Sequence, residues 1–225
     1  MLNSRQIGFQ RAREIRDSVD QFGALVIEQL YAMHFKGLAS GIDKARERMW
    51  SITKKSNYIS KEKLDTSGRL FYYPTGKRPQ HNSATHVINR NWGFLYLIQG
   101  KKDYEKVVDL DTEYDLDVLV ADGFVGLHNT FTGVTDYWFI ESDRASSKNK
   151  FEKVKQYTEY YKSGKYKLEH WAPKAKRFPG VLIVTDAAAK AVRILELIEK
   201  QNTEGIRFKV MTVEEIREQI MSEKH

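Results

Sequence analysis

What most constrains this chain is the place where its apolar residues change period. In residues 5–20 (RQIGFQRAREIRDSVD), Ile7, Ala12, Ile15 and Val19 stand at helical spacing among charges, and Gly23 follows as punctuation. In ALVIEQLYAMHF, Leu25, Val26, Gln29, Leu30 and Met33 predict a second helix ending near Gly37. Ser40 is placed to cap a third, GIDKARERMWSITKK, whose buried stripe is Ile42, Ala45, Met49 and Ile52. The period then shortens: NYISKEKL and RLFYYP are strand-like runs joined by Asp65-Thr66-Ser67-Gly68. Three short helices followed by a hairpin predict an N-terminal winged helix-turn-helix over residues 1–80.

Charge sharpens that expectation. The chain has 37 Lys and Arg against 30 Asp and Glu, and residues 1–80 hold 15 of the former and 8 of the latter, so the excess of seven lies there. The opposite face of the third helix shows Lys44, Arg46, Arg48, Lys54 and Lys55, and Lys61, Lys63, Arg69, Lys77 and Arg78 fall on or just beyond the hairpin. In a winged helix the third helix enters the major groove, where Lys and Arg reach phosphates and guanine edges, while the hairpin follows the backbone. Double-stranded DNA is the expected partner. A solvated basic face, or a protein-docking module of the same fold, also accounts for these residues.

PTGKRPQHN, residues 74–82, has two prolines and a glycine in nine residues and is the expected linker. The second domain, 81–225, opens with a helix over 83–99, in which Val87, Trp92, Leu95 and Ile98 share a side. From Tyr104 the pattern alternates: VVDLD, DLDVLVAD, FVGLH and TDYWFIESD predict consecutive antiparallel strands, with turns at Asp122-Gly123 and Thr132-Gly133. Helical spacing returns in SSKNKFEKVKQYTEYYK, where Phe151, Val154, Tyr157 and Tyr161 form one stripe. FPGVLIVTD is apolar enough for a strand covered on both faces. AAAKAVRILELIEK predicts a helix, RFKVMT a strand, and VEEIREQI a closing helix that Thr212 can cap. The sum is an α+β or α/β chain ending in an α/β sandwich.

With no cysteine there is no disulfide framework, thiolate metal site or thiol nucleophile, which points to a reducing, cytoplasmic setting. No stretch has the length and apolarity of a membrane span, so no membrane partner is expected. The residues able to do chemistry are acids. Asp117 lies in an alternating run, and Glu141 follows Ile140 so as to point to the other face of its strand. Carboxylates on adjacent strands hold divalent metal in restriction-endonuclease-like nucleases, where an acid-x-Lys pattern supplies a lysine beside the water. Here that position is Asp143, followed by Arg144, and Lys148, Lys150 or Lys153 would have to reach back. Asp115, Asp117 and Asp122 equally suit solvated strand ends, since residues 103–122 hold eight acids. Glu141, Asp143 and Arg144 equally suit capping or mutual pairing. His86, His128 and His170 are scattered without ligand spacing, and no glycine-rich phosphate loop or serine-nucleophile motif is present.

The succession YISKEKLDTSGRLFYYPTG, His86-Val87-Ile88-Asn89, DLDVLVAD, YWFIESDR, a Lys- and Tyr-rich helix and FPGVLIVT resembles the replication-relaxation family of plasmids and other mobile elements over about residues 10–195. The likeness rests mainly on Glu141-x-Asp143-Arg144, the helix bearing Lys155 and Tyr160, and the FPGVLIVT strand. It implies a winged helix followed by a diverged restriction-endonuclease (PD-(D/E)XK) domain, in which Gln156-x-x-x-Tyr160 would contact DNA or orient the site. It implies association with plasmid replication, relaxation or mobilisation, with a relaxase or replication proteins as partners. The leading expectation is therefore a DNA-binding accessory protein with an inactive nuclease-like domain, no cofactor, and homodimerisation open. The alternatives are a metal-dependent endonuclease using Asp117 and Glu141, with Asp143 a further catalytic candidate and Mg²⁺ the ion if the site is active, and a transcriptional regulator whose C-terminal domain binds a ligand or partner.

Overall fold

The computed structural model describes residues 4–146 and 151–222, which form a mixed α/β chain of two compact units that divide after residue 91, the first also taking in the chain from residue 220. No helix among the described residues is long and apolar enough to cross a membrane.

The first unit contains α1 (Ser4–Phe22), β1 (Leu25–Val26), α2 (Ile27–His34), α3 (Gly41–Lys55), β2 (Ile59–Lys63), β3 (Leu70–Pro74) and the start of α4 (His81–Gln99). The three strands form an antiparallel sheet in the order β1-β3-β2. Leu25 and Val26, expected in the second helix, instead pair with Tyr72 and Phe71. Gly23 at φ +77° turns the chain out of α1, and the Gln29 side chain accepts a bond from the Val26 amide, so α2 starts only at Ile27. Gln29 is fully buried and also donates to the Ile88 carbonyl, so this position of the apolar stripe carries a polar cross-link. α3 buries Ala45, Met49 and Ile52 as expected, with Ile42 half-buried. Ser40 precedes α3 in a left-handed conformation, and its carbonyl, not its side chain, receives the first amides. In the β2–β3 hairpin, Asp65 accepts the Ser67 amide and Gly68 takes φ +82°, a region open to glycine at little cost.

The first unit extends beyond the expected boundary at residue 80, and the reason is local. Arg90 and Asn91 of α4 are buried, and both donate to the Phe22 carbonyl at the end of α1 while Asn91 also donates to that of Ala24. These bonds tie α4 to the turn that ends α1, where the Phe22 carbonyl also accepts the Ala24 amide.

The second unit contains the end of α4, β4 (Glu105–Asp111), β5 (Tyr114–Asp115), β6 (Val120–Ala121), β7 (Gly123–Asn129), β8 (Thr135–Asp143), α5 (Lys153–Ser163), β9 (Gly180–Thr185), α6 (Ala188–Gln201), β10 (Phe208–Thr212) and α7 (Val213–Ser222) as far as residue 219. Its five-stranded sheet has the order β10-β9-β8-β7-β4, antiparallel from β4 to β8 and parallel from β8 to β10. One face carries Phe124, Tyr137, Phe139, Val181 and Ile183, packed with Tyr157 and Tyr160 of α5 and with Trp171. On the other face, a Cβ added at Gly93 of α4 would come within 2.8 Å of Ile140 and 3.0 Å of Val184, so only glycine lets the helix lie this close to the sheet. β9 is buried at every residue, as its unbroken apolar run predicts.

DLDVLVAD does not form one strand. Leu116 and Leu119 are both buried, and an Asx turn from Asp115 to the Asp117 amide folds the run into the β5–β6 hairpin. Asp117 therefore sits exposed at φ 63° in a turn instead of on the sheet. The expected helix stripe is realised by Val154 and Tyr157, with Phe151 and Tyr161 packed at its margin. Thr212 and Glu215 cap α7 reciprocally: each side chain accepts the other residue's amide.

Candidate functional site

Two clusters of charge are brought together, one within each unit. In the first unit, the outer face of α3 exposes Lys44, Arg46, Lys54 and Lys55, while Arg48 is half-buried. Lys61 and Lys63 are exposed on one face of β2, and Lys77 and Arg78 follow β3. The three arginines Arg46, Arg78 and Arg69 lie beside carboxylates: Arg46 contacts Asp43 at 2.8 Å, Arg78 grips Glu62 through two nitrogens, and Arg69 lies 3.9 Å from Glu28. The side chains of Lys44, Lys55, Lys61, Lys63 and Lys77, by contrast, have no ion-pair or hydrogen-bond partner among the described residues. Five exposed, unpaired ammonium groups on a helix and the adjoining hairpin form a surface suited to polyanions, with free lysines as point charges and arginines held in place.

The sequence reading missed one residue of this surface. Trp50 lies four residues after Arg46 and four before Lys54, on the polar side of α3, and is 56% exposed. Lys54 Nζ sits 4.6 Å from its ring centroid. Beside it, Arg46, Lys61, Arg69, Leu70 and Tyr72 help to line an open groove of about 1000 Å³. An aromatic interrupting a basic helical face was the available signal.

In the second unit, the acids are inward and engaged. Glu141, 2% exposed, projects from β8 beneath α5, where Tyr157 Oη donates to Oε1 at 2.7 Å and Lys153 Nζ lies 3.0 Å from Oε2. Lys153 also donates to the Val120 carbonyl. Of the three lysines expected to reach back, Lys153 does so, and Lys148 and Lys150 lie outside the described residues. Burial, reinforced by the charge of Asp122, pushes the Glu141 carboxyl up to about 8, against the pull of Lys153 and Tyr157. The carboxylate beside Glu141 is thus Asp122, not Asp117, and Asp122 accepts the Ser142 amide at 2.7 Å. Asp143 pairs with Lys190 at 2.9 Å, and burial raises its carboxyl as well. The Arg144 carbonyl accepts from the same lysine.

This set does not fit a divalent ion. Both oxygens of Glu141 are engaged, Lys153 already sets a positive charge beside one of them, and Asp143 has its own ammonium partner. Among the described residues no group of three or more His, Asp or Glu side chains could hold a metal. His128 bonds Thr135, His170 lies 3.3 Å from the Tyr114 hydroxyl, and His86 is half-buried. Tyr160 is turned inward as well: its hydroxyl and that of Tyr114 each donate to Glu169 at 2.8 Å. Gln156, four residues earlier, is half-buried. Comparison with protein-family models, curated proteins and solved structures finds no match to this chain.

Proposed function

We propose that this chain is a double-stranded DNA-binding accessory protein, with the first unit acting as a winged-helix reader and the second as a nuclease-like body that does not cleave. The single observation carrying this reading is the set of unpaired lysines on α3 and the β2–β3 hairpin, in the part of the chain that holds all of the net positive charge. The order α1-β1-α2-α3-β2-β3 supports a winged helix, and α4 followed by the β4-β7-β8 meander, α5 and β9 supports the nuclease-like assignment. The resemblance to the replication-relaxation family adds the setting: replication, relaxation or mobilisation of a plasmid or other mobile element, together with a relaxase or replication proteins.

Lysines neutralise phosphates and release counterions, so binding on this reading weakens steeply as salt rises. The test is a salt titration of fluorescence anisotropy on a fluorescent duplex, comparing the full chain with its Lys44→Ala/Lys55→Ala/Lys61→Ala variant. The log–log salt slope should fall by about one per lysine removed, with weaker binding to every duplex sequence. Equal affinity and equal slope for the variant at low salt would reject the surface as the DNA interface.

A further inference from the structure

On an interface made of lysines alone, Trp50 has no purpose. It keeps more than half of its surface in water at the centre of the basic face of α3, and leaving an indole exposed forgoes the stabilisation its burial gives. It is neither isolated nor free to collapse onto the core. Arg46 and Lys54 flank it at four-residue spacing, and the Lys54 ammonium covers the ring at 4.6 Å from its centroid. Trp50 itself lines the groove beside α3, and Lys54 approaches its ring from the next turn of the helix. Leu70 and Tyr72 add apolar wall to the groove, Lys61 and Arg69 stand at its hairpin side, and two carboxylates also line it, Glu47 and the Glu28 that lies 3.9 Å from Arg69.

An aromatic surface with apolar walls and an excess of cations complements a nucleobase, which offers a π-face, together with its anionic phosphate. In intact duplex a base offers only its edge in the groove, and its faces are stacked on neighbours, so an indole gains little from them. We infer that Trp50 stacks on an unpaired nucleobase, and that DNA with a locally opened or single-stranded segment is the preferred ligand of this face. The inference rests on reading the face as a DNA surface and specifies the state of the DNA. Around Trp50 the cations Arg46, Lys54, Lys61 and Arg69 outnumber the carboxylates Glu28 and Glu47, and this excess favours an anionic ligand over an apolar protein surface, against which the charges would be desolvated.

The experiment uses the full chain, a fully paired duplex, and a duplex of equal length with a short central bubble carrying 2-aminopurine. The bubble should bind about tenfold more tightly than the paired duplex, with quenching of 2-aminopurine on binding. Trp50→Ala should abolish most of that preference and of the quenching, and Trp50→Phe should keep most of both. Far-UV circular dichroism and thermal melting establish that both variants are folded. An unchanged preference in Trp50→Ala, or salt-dependent binding of paired duplex without any preference for the bubble, overturns the stacking role and leaves the DNA reading intact. Absence of binding to either DNA at low salt overturns both. Self-association of the wild type that Trp50→Ala abolishes, seen by sedimentation together with an unchanged bubble preference, assigns Trp50 to a protein contact and likewise overturns the stacking role.

Discussion

The two units use charge in opposite ways. In the first, lysines stand exposed and without partners on α3 and β2; in the second, Glu141 and Asp143 are buried and each is met by a lysine from a following helix. Exposed, unpaired charge contributes little to folding and remains available to a partner, whereas buried, paired charge is tied to the fold because either member alone is costly. The difference teaches that residue type says little about role until burial and pairing are known. Lys61 and Lys153 are both lysines, yet Lys61 stands exposed on β2 without a partner while Lys153 pairs with the buried Glu141 and ties α5 to β8.

The largest effect should come from breaking the buried pair. At pH 9, where Glu141 is ionised in the unsubstituted chain, Lys153→Met should lower stability by about 3 kcal/mol, because the buried carboxyl loses its cation and must either stay charged without a partner or take up a proton. Chemical denaturation at pH 9 and pH 6 checks this, and the loss should shrink at pH 6, where the carboxyl carries a proton. DNA affinity at temperatures where the variant is folded should stay unchanged. A loss of affinity as large as that of the lysine variants of the first unit would erase the contrast between the units.

The next effect is a dependence on pH. Below its ordinary value of 4.5, Glu141 is protonated in folded and unfolded chains alike; between 4.5 and about 8 the folded chain retains a proton that the unfolded chain has released. Stability attributable to this group therefore falls as pH rises through that window, by up to about 1.4 kcal/mol per unit. Glu141→Gln should flatten that part of the stability profile, as read by denaturant melts from pH 5 to pH 8. An identical profile in the variant would show that other groups set the slope.

A smaller effect is expected in the hairpin, where backbone geometry rather than charge is at stake. Gly68→Ala places a Cβ on a residue at φ +82° and should cost about 1 kcal/mol in a thermal melt. A stabilised variant would mean that the turn adopts another conformation. The smallest expected effect is none: supercoiled plasmid incubated with the full chain and Mg²⁺ or Mn²⁺ should remain uncut, since Lys153 and Tyr157 already occupy Glu141. Metal-dependent nicking that disappears in Asp122→Ala and Glu141→Ala would turn the second unit from a body into an enzyme.

Much of the fold was legible in the sequence because it follows from local periodicity. The third helix, its Ala45-Met49-Ile52 stripe, the β2–β3 hairpin and its Gly68 turn, the fully buried β9 and the Thr212 cap are all written in spacings a few residues long. The placement of positive charge was likewise legible, and so was a Glu141 side chain opposite Ile140. What the sequence could not supply were outcomes settled by distant partners. Leu25 and Val26 fit a helix by spacing but become a strand because β3, more than forty residues away, offers them a ladder. Asp115 to Asp122 alternate like a strand but fold into a hairpin because Leu116 and Leu119 both find the same core. That hairpin exchanges Asp117 for Asp122 beside Glu141, and tertiary packing alone brings Lys153 and Tyr157 onto the same carboxylate. Local patterns fix which residues turn inward or outward, since that choice depends on neighbours three or four positions away. Which buried charge meets which partner is decided only when separate elements pack, because the cost of an unpaired charge exists only once water is gone.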